Sequence, residues 1–120
     1  MNAFPAVSRG EIWWINLDPT KGAEIRKQRP GLVISSDRVG RLPTKVIVPL
    51  TEWNNSFDSS IWHVAIEPSA TNGLNKKSAA DALQIRCVSL ERFSSKVGRA
   101  TADQIEEVLL AIRAVLEIRN

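Results

Sequence analysis

The segment Thr101-Ala-Asp-Gln-Ile-Glu-Glu-Val-Leu-Leu-Ala-Ile-Arg-Ala-Val-Leu-Glu-Ile118 decides the class of fold, because its period differs from that of everything before it. Ile105, Val108, Leu109, Ile112 and Leu116 recur at helical spacing and form one apolar face. Thr101 followed by Gln104 is a capping-box pattern. Asp103, Glu106 and Glu107 lie in the first turns and Arg113 and Arg119 toward the end, as the helix dipole prefers. The pattern predicts a helix over about 101–118. Upstream the chain reads instead as short strands. Glu11-Ile-Trp-Trp-Ile-Asn-Leu17 is rich in β-branched and aromatic residues and stops at Asp18-Pro19. Thr20 to Arg29 reads as a long polar loop. Pro30 opens the next strand, Gly31–Ser36. Lys45–Leu50 is a third, with Pro49 marking an edge or a bulge. Trp62–Ile66 is a fourth, and Asn72-Gly73 is a strong turn. Asp81 to Leu90 reads as a fifth, with Leu83, Ile85 and Cys87 on its apolar parity. Short strands followed by one helix predict a mainly β fold, a small strongly bent sheet or barrel with the helix packed on it.

The chain has 120 residues, one domain's worth. Residues 1–8 read as a flexible arm and 9–120 as a single domain. The longest stretches without a charge are eight residues, such as Ser59–Ile66, far short of the ~18 apolar residues a membrane helix needs. The first eight residues lack a basic segment followed by a long apolar one, so no secretory signal is expected. A single cysteine, Cys87, cannot form an internal disulfide. It points to a reducing, cytoplasmic setting and, on its apolar parity, to an inert buried thiol.

Charge is uneven. Residues 21–45 hold seven basic side chains (Lys21, Arg26, Lys27, Arg29, Arg38, Arg41, Lys45) against Glu24 and Asp37, a local charge of +5. The rest of the chain carries −2 of the net +3. Such a block suits a polyanion, although charge runs are commonly just solvated.

Counting removes several chemistries. The one histidine, His63, cannot form a two-histidine acid–base pair, and it reads as a half-exposed strand residue. Metal-ligand clusters, a Walker loop, a dinucleotide fingerprint and a Gly-x-Ser-x-Gly elbow are absent, so no metal or cofactor is expected. What remains is Lys21-Gly-Ala-Glu-Ile-Arg-Lys-Gln-Arg-Pro30, a carboxylate and several guanidiniums on a loop between two strands. RNA cleavage without a metal needs a base for the 2′-hydroxyl, positive charge for the phosphorane-like transition state, and help for the departing 5′-oxygen. A carboxylate can serve as the base, arginine supplies the charge, and a hydroxyl such as Thr51 adds a hydrogen bond, but composition alone only permits this chemistry, since surface Arg–Glu pairs are common and mostly inert.

These residues resemble the MazF/PemK toxins, the ribonucleases of type II toxin–antitoxin modules. The resemblance rests on Arg9-Gly10-Glu11-Ile12-Trp13, on Leu17-Asp18-Pro19-Thr20-Lys21-Gly22-Ala23-Glu24, and on Arg29-Pro30 before Leu32-Val33-Ile34-Ser35. Val48-Pro49-Leu50-Thr51 and Leu83-Gln84-Ile85-Arg86 are similar to two further motifs of that family. The resemblance implies an SH3-like barrel of the CcdB/MazF type, a homodimer and a cognate antitoxin. It implies metal-independent cleavage of single-stranded RNA, often mRNA, to 2′,3′-cyclic phosphate and 5′-hydroxyl ends. Arg29 and Thr51 match the catalytic pair and Glu24 the candidate base. Because arginine stays protonated, Arg29 suits an electrostatic clamp better than a proton shuttle. Lys21, Arg26, Lys27, Gln84 and Arg86 become RNA contacts. Trp53 is the best-placed tryptophan for stacking a base, with a side chain folded back onto the barrel the equal alternative, whereas Trp13, Trp14 and Trp62 suit a core or a dimer interface. Ala23 stands where serine is frequent, and Ser36-Asp37 where Asn-Asp is. The rival readings are a gyrase-directed toxin of the same fold and a non-catalytic RNA-binding barrel.

Overall fold

Alternate residues of the first three strands are buried on opposite faces, and the architecture follows from that. The computed structural model describes residues 4–39 and 42–119. The first three residues of the expected arm, and Arg41, lie outside the described residues. The order is β1 (Glu11–Asn16), β2 (Gln28–Val33), β3 (Thr44–Glu52), β4 (His63–Ile66), β5 (Ser78–Asp81), β6 (Arg86–Ser89), β7 (Phe93–Arg99) and α1 (Ala102–Leu116). All pairings are antiparallel. The sheet runs β4-β5-β3-β2-β1-β7, with β6 also on β3.

Ile12, Leu32, Val48 and Leu50 join Val108, Ala111 and Ile112 of the helix in one cluster. Their neighbours Trp13, Ile15, Val33 and Ile47 join Val88 and Phe93 in another. A sheet covered on both faces explains why these strands read as continuous apolar runs rather than alternating ones. Each fully buried Ile or Leu contributes roughly 1.5–3 kcal/mol. Val7 is buried in the second cluster, so the described part of the arm lies against the barrel.

β3 is the hub. Thr44–Ile47 pair with β6, Ile47–Pro49 with β2 and Leu50–Glu52 with β5. Pro49 is buried at the point where β3 changes partner from β6 to β5. A residue without an N–H sits where the ladder is already interrupted. This corrects the edge-strand reading.

The single strand expected over 81–90 is two strands. The side chain of Asp81 accepts from Leu83 N and caps a 3-10 turn at Ala82–Gln84. That turn shifts the parity, so Val88 points inward and Leu83 and Cys87 are exposed. Cys87 is therefore not the buried thiol that alternation predicts. β7, Phe-Ser-Ser-Lys-Val-Gly-Arg, carried no recognisable strand signal because as a sheet edge it exposes Ser94, Ser95 and Lys96. The helix matches its prediction within two residues, with both halves of the Thr101–Gln104 capping box in place. Leu116, expected on the packed face, is 56 % exposed.

The β4–β5 loop closes the structure against β7. Asn72 is fully buried; its Oδ1 accepts from Ser69 N and Leu74 N, and its Nδ2 donates to Glu67 O. Gly73 has φ +70°, and a Cβ there would stand 2.1 Å from Val97 O. Only glycine fits so close an approach.

Glu11 ties β1 to β7. Its carboxylate accepts from Ser8 N and Trp13 Nε1 and pairs with Lys96 at 2.8 Å and Arg99 at 3.6 Å. Burial pushes this carboxyl up, but the bonds from Lys96, Ser8 and Trp13 outweigh it and hold the group below its ordinary value of 4.5. A depressed folded pKa stabilises the fold above the unfolded value, and that stabilisation is lost as the pH falls through the folded one. Urea unfolding from neutral pH down to about pH 3 is expected to show a steeper loss of stability below pH 4.5 in the wild type than in Glu11→Gln. Equal slopes would show that Glu11 carries no part of the acid sensitivity.

Candidate active site

Antiparallel neighbours share their rims, so the ends of β1 and β3 lie beside the beginnings of β2 and β5. Arg29 stands on this rim opposite Ile15, and Thr51 opposite Ala79. β2 and β3 pair Val33 with Ile47, Leu32 with Val48 and Gly31 with Pro49. Two more steps of that register set Arg29 across from Thr51, on one face of the sheet. A pocket of about 210 Å³ opens here, and Arg29 and Thr51 both contribute to its wall. Trp14, Pro30, Leu50, Glu52 and Ser78 complete the strand side; Gly73, Leu74, Asn75 and Lys76 of the β4–β5 loop and Val97 of β7 form the other.

Glu24 is not part of that wall. It sits in the β1–β2 loop, where its Oε1 accepts from Lys21 N at 2.5 Å and its own N–H donates to Lys21 O. The loop is braced from outside. Gln84 accepts from Ile25 N at 3.3 Å and donates to Ala23 O at 3.4 Å. Arg86 donates to Leu17 O, and Arg92 to Asn16 O and Asp18 O. Within the loop, Arg26 donates to Gly22 O, and Asp18 accepts from Lys27 N, whose φ is +68°. Gln84 and Arg86 thus shape the loop that carries Glu24 and the cations. Lys21, Arg26, Lys27 and Arg29 are all exposed.

The basic block of the sequence does not form one patch. Lys45 is buried near the start of β3, six residues from Thr51 and so about 20 Å away along an extended strand. Among the described residues, Lys21, Arg26, Lys27 and Arg29 belong to β2 and the loop before it.

Trp53 is folded back on its own loop. Phe57 meets it edge-on at 5.6 Å, and Lys77 Nζ lies 4.5 Å over its ring. Phe57 also stacks on His63 at 3.7 Å. The His63 side chain is only 9 % exposed, contrary to the half-exposed reading. Ser60 Oγ accepts from Trp62 N and His63 N, so its proton faces His63 Nδ1 at 2.7 Å. The Nε2 side then faces Asp81 at 3.5 Å. Burial pushes the Asp81 carboxyl up, against the opposing pull of His63. A hydroxyl held by two amides beside a covered imidazole braces the Asn55–Ser59 turn and frees no nucleophile.

Trp14, Glu52, Asn75 and Lys76 are among the wall residues that sequence reasoning missed. Glu52 adjoins Thr51, and Asn75-Lys76 follow the Asn72-Gly73 turn, but nothing in their spacing ties them to Arg29. Gln84→Ala is expected to cost about 1 kcal/mol locally, about a fivefold faster hydrogen exchange of the Ile25 amide. Amides of β3 should keep their protection; unchanged Ile25 exchange would show that the brace is dispensable.

Residues 8–116 match the family model described as the PemK-like, MazF-like toxin of type II toxin–antitoxin systems. Endoribonuclease MazF9 of Mycobacterium tuberculosis is 33% identical over 117 residues, covering 92% of this chain and 96% of that protein. The crystal structure of MazF from Deinococcus radiodurans superposes with a TM-score of 0.76 at 22% identity, covering 98% of this chain and all of that one. A mycobacterial endoribonuclease solved in complex with its cognate antitoxin superposes with a TM-score of 0.74 at 20% identity, over 96% and 99% of the two chains.

Proposed function

This chain belongs to the PemK-like, MazF-like toxins of type II toxin–antitoxin systems, and from that membership we propose that it is an endoribonuclease that cuts single-stranded RNA at the Arg29–Thr51 rim. The observation that supports the reading is the β2–β3 register, which when continued two steps brings Arg29 level with Thr51, and both residues line one pocket at the rim. The 2′-oxygen attacks phosphorus while its proton passes to the Glu24 carboxylate, released from Lys21 N. The bond from phosphorus to the 5′-oxygen breaks, and the 5′-oxygen takes a proton from water. The products are a 2′,3′-cyclic phosphate and a 5′-hydroxyl. Arg29 stabilises the charge that builds on the phosphoryl oxygens, and Thr51 donates a hydrogen bond to them. With water protonating the leaving oxygen, these side chains fill the remaining roles without a metal. The enzyme acts as a homodimer in the cytoplasm. A cognate antitoxin holds it inactive by laying an acidic, partly disordered segment over the cations of the β1–β2 loop.

Purified protein incubated with single-stranded RNA in excess EDTA is expected to cleave it. Arg29→Ala, correctly folded, should lower kcat about 10²–10³-fold. Tight binding without cleavage would make this an RNA-binding barrel, and gyrase inhibition without action on RNA would make it a gyrase-directed toxin. A second expectation concerns salt. If Lys21, Arg26, Lys27 and Arg29 each meet a phosphate, the logarithm of RNA affinity should fall against that of salt with a slope of about −3. A flat response would remove the loop from the RNA path.

A further inference from the structure

We propose that the pocket beside Arg29 and Thr51 is a subsite for a single guanine base, stacked on Trp14 and read by Glu52 and Lys76; the inference rests on the ribonuclease reading above. Side chains alternate across a strand. Trp14 pairs with Pro30, and Glu52 with Ser78. Leu50 lies two residues from Glu52, on the same parity. These residues share the face opposite that of Arg29 and Thr51, and all of them line the pocket. A strand of RNA crossing the rim, with its phosphate at Arg29 and Thr51, therefore has an adjacent base in reach of the pocket.

The pocket is built for something small, flat and polar-edged. Its volume of about 210 Å³ falls below the ~300 Å³ at which sites for drug-sized ligands begin, so it suits one base rather than a longer piece of nucleic acid. Its apolar wall is Trp14, Pro30, Leu50, Leu74 and Val97. Trp14 remains 40 % exposed while its neighbour Trp13 is buried, so a large aromatic surface stands open at the site. Every base can stack on such a surface. Discrimination falls to the polar wall, where Lys76 Nζ lies 3.4 Å from Glu52 Oε2. A carboxylate only accepts and an ammonium only donates. Guanine matches that pair: its N1–H and N2–H donate side by side to a carboxylate, and its O6 accepts from the ammonium next to it. Adenine, cytosine and uracil offer no two adjacent N–H donors on one edge.

Mapping the cuts made by the wild-type protein in a random-sequence RNA is expected to show guanine at one fixed position relative to the broken bond. In an oligonucleotide carrying that site, inosine in place of the guanine loses the N2 donor and should raise KM. Trp14→Ala should raise KM about 5- to 100-fold with kcat little changed, and Trp14→Phe should recover most of it. Glu52→Gln should lower kcat/KM for the guanine substrate by about 5- to 100-fold and bring it close to that for inosine. Thermal melting identifies any variant that has lost its fold. Cleavage with no fixed guanine, or a folded Trp14→Ala variant with unchanged KM and cut pattern, overturns the subsite alone. Intact RNA with the wild-type protein overturns the ribonuclease reading beneath it.

Discussion

The register between β2 and β3 governs everything at the rim. Because side chains alternate with a period of two residues, a slip of one position would send Thr51 to the face opposite Arg29. It would also exchange Val48 and Ile47 between the two clusters. The register is therefore held by burial on both sides. Leu32 and Val48 are locked against the helix side, and Val33 and Ile47 against Trp13 and Phe93. Arg29 and Thr51 inherit their alignment from apolar packing several residues away, and the core that stabilises the fold also sets what stands at the rim.

Around this rigid rim the mobile-looking parts are tied down by polar groups from distant sequence. Gln84, Arg86 and Arg92 hold the β1–β2 loop by its backbone carbonyls and one amide. Asn72 holds the β4–β5 loop and presses it onto β7. The site thus has a fixed sheet edge flanked by two loops that are shaped from outside. One loop carries cations and the other carries part of the pocket wall. Loops supported in this way can vary in sequence and alter what binds without disturbing the strands.

Much of the architecture was legible because the relevant signals are local. The helix announced itself through its period and its cap, and the early strands through β-branched and aromatic runs. The misreadings share a cause. Pro49 was read as an edge or a bulge because proline cannot join a ladder, and the edge half of that reading fails because the hub strand changes partners at that point. Cys87 was read as buried because one strand was assumed where a 3-10 turn resets the parity. The basic block suited a polyanion or a merely solvated run, and a strand's length separates Lys45 from the rim. Each of these depends on what a residue faces, which linear spacing does not encode.

The sequence by itself determined the class of fold, the helix and its limits, and a resemblance strong enough to single out Arg29, Thr51 and Glu24. Only the tertiary structure decided that the first two line one pocket while the third lies on a braced loop outside its wall. It alone brought Trp14, Glu52 and Lys76 together, from two strands and a loop far apart in the chain. Periodicity and capping arise between residues a few positions apart and can be read along the chain, whereas a pocket is made by strand register and loop docking, which join residues that share no pattern.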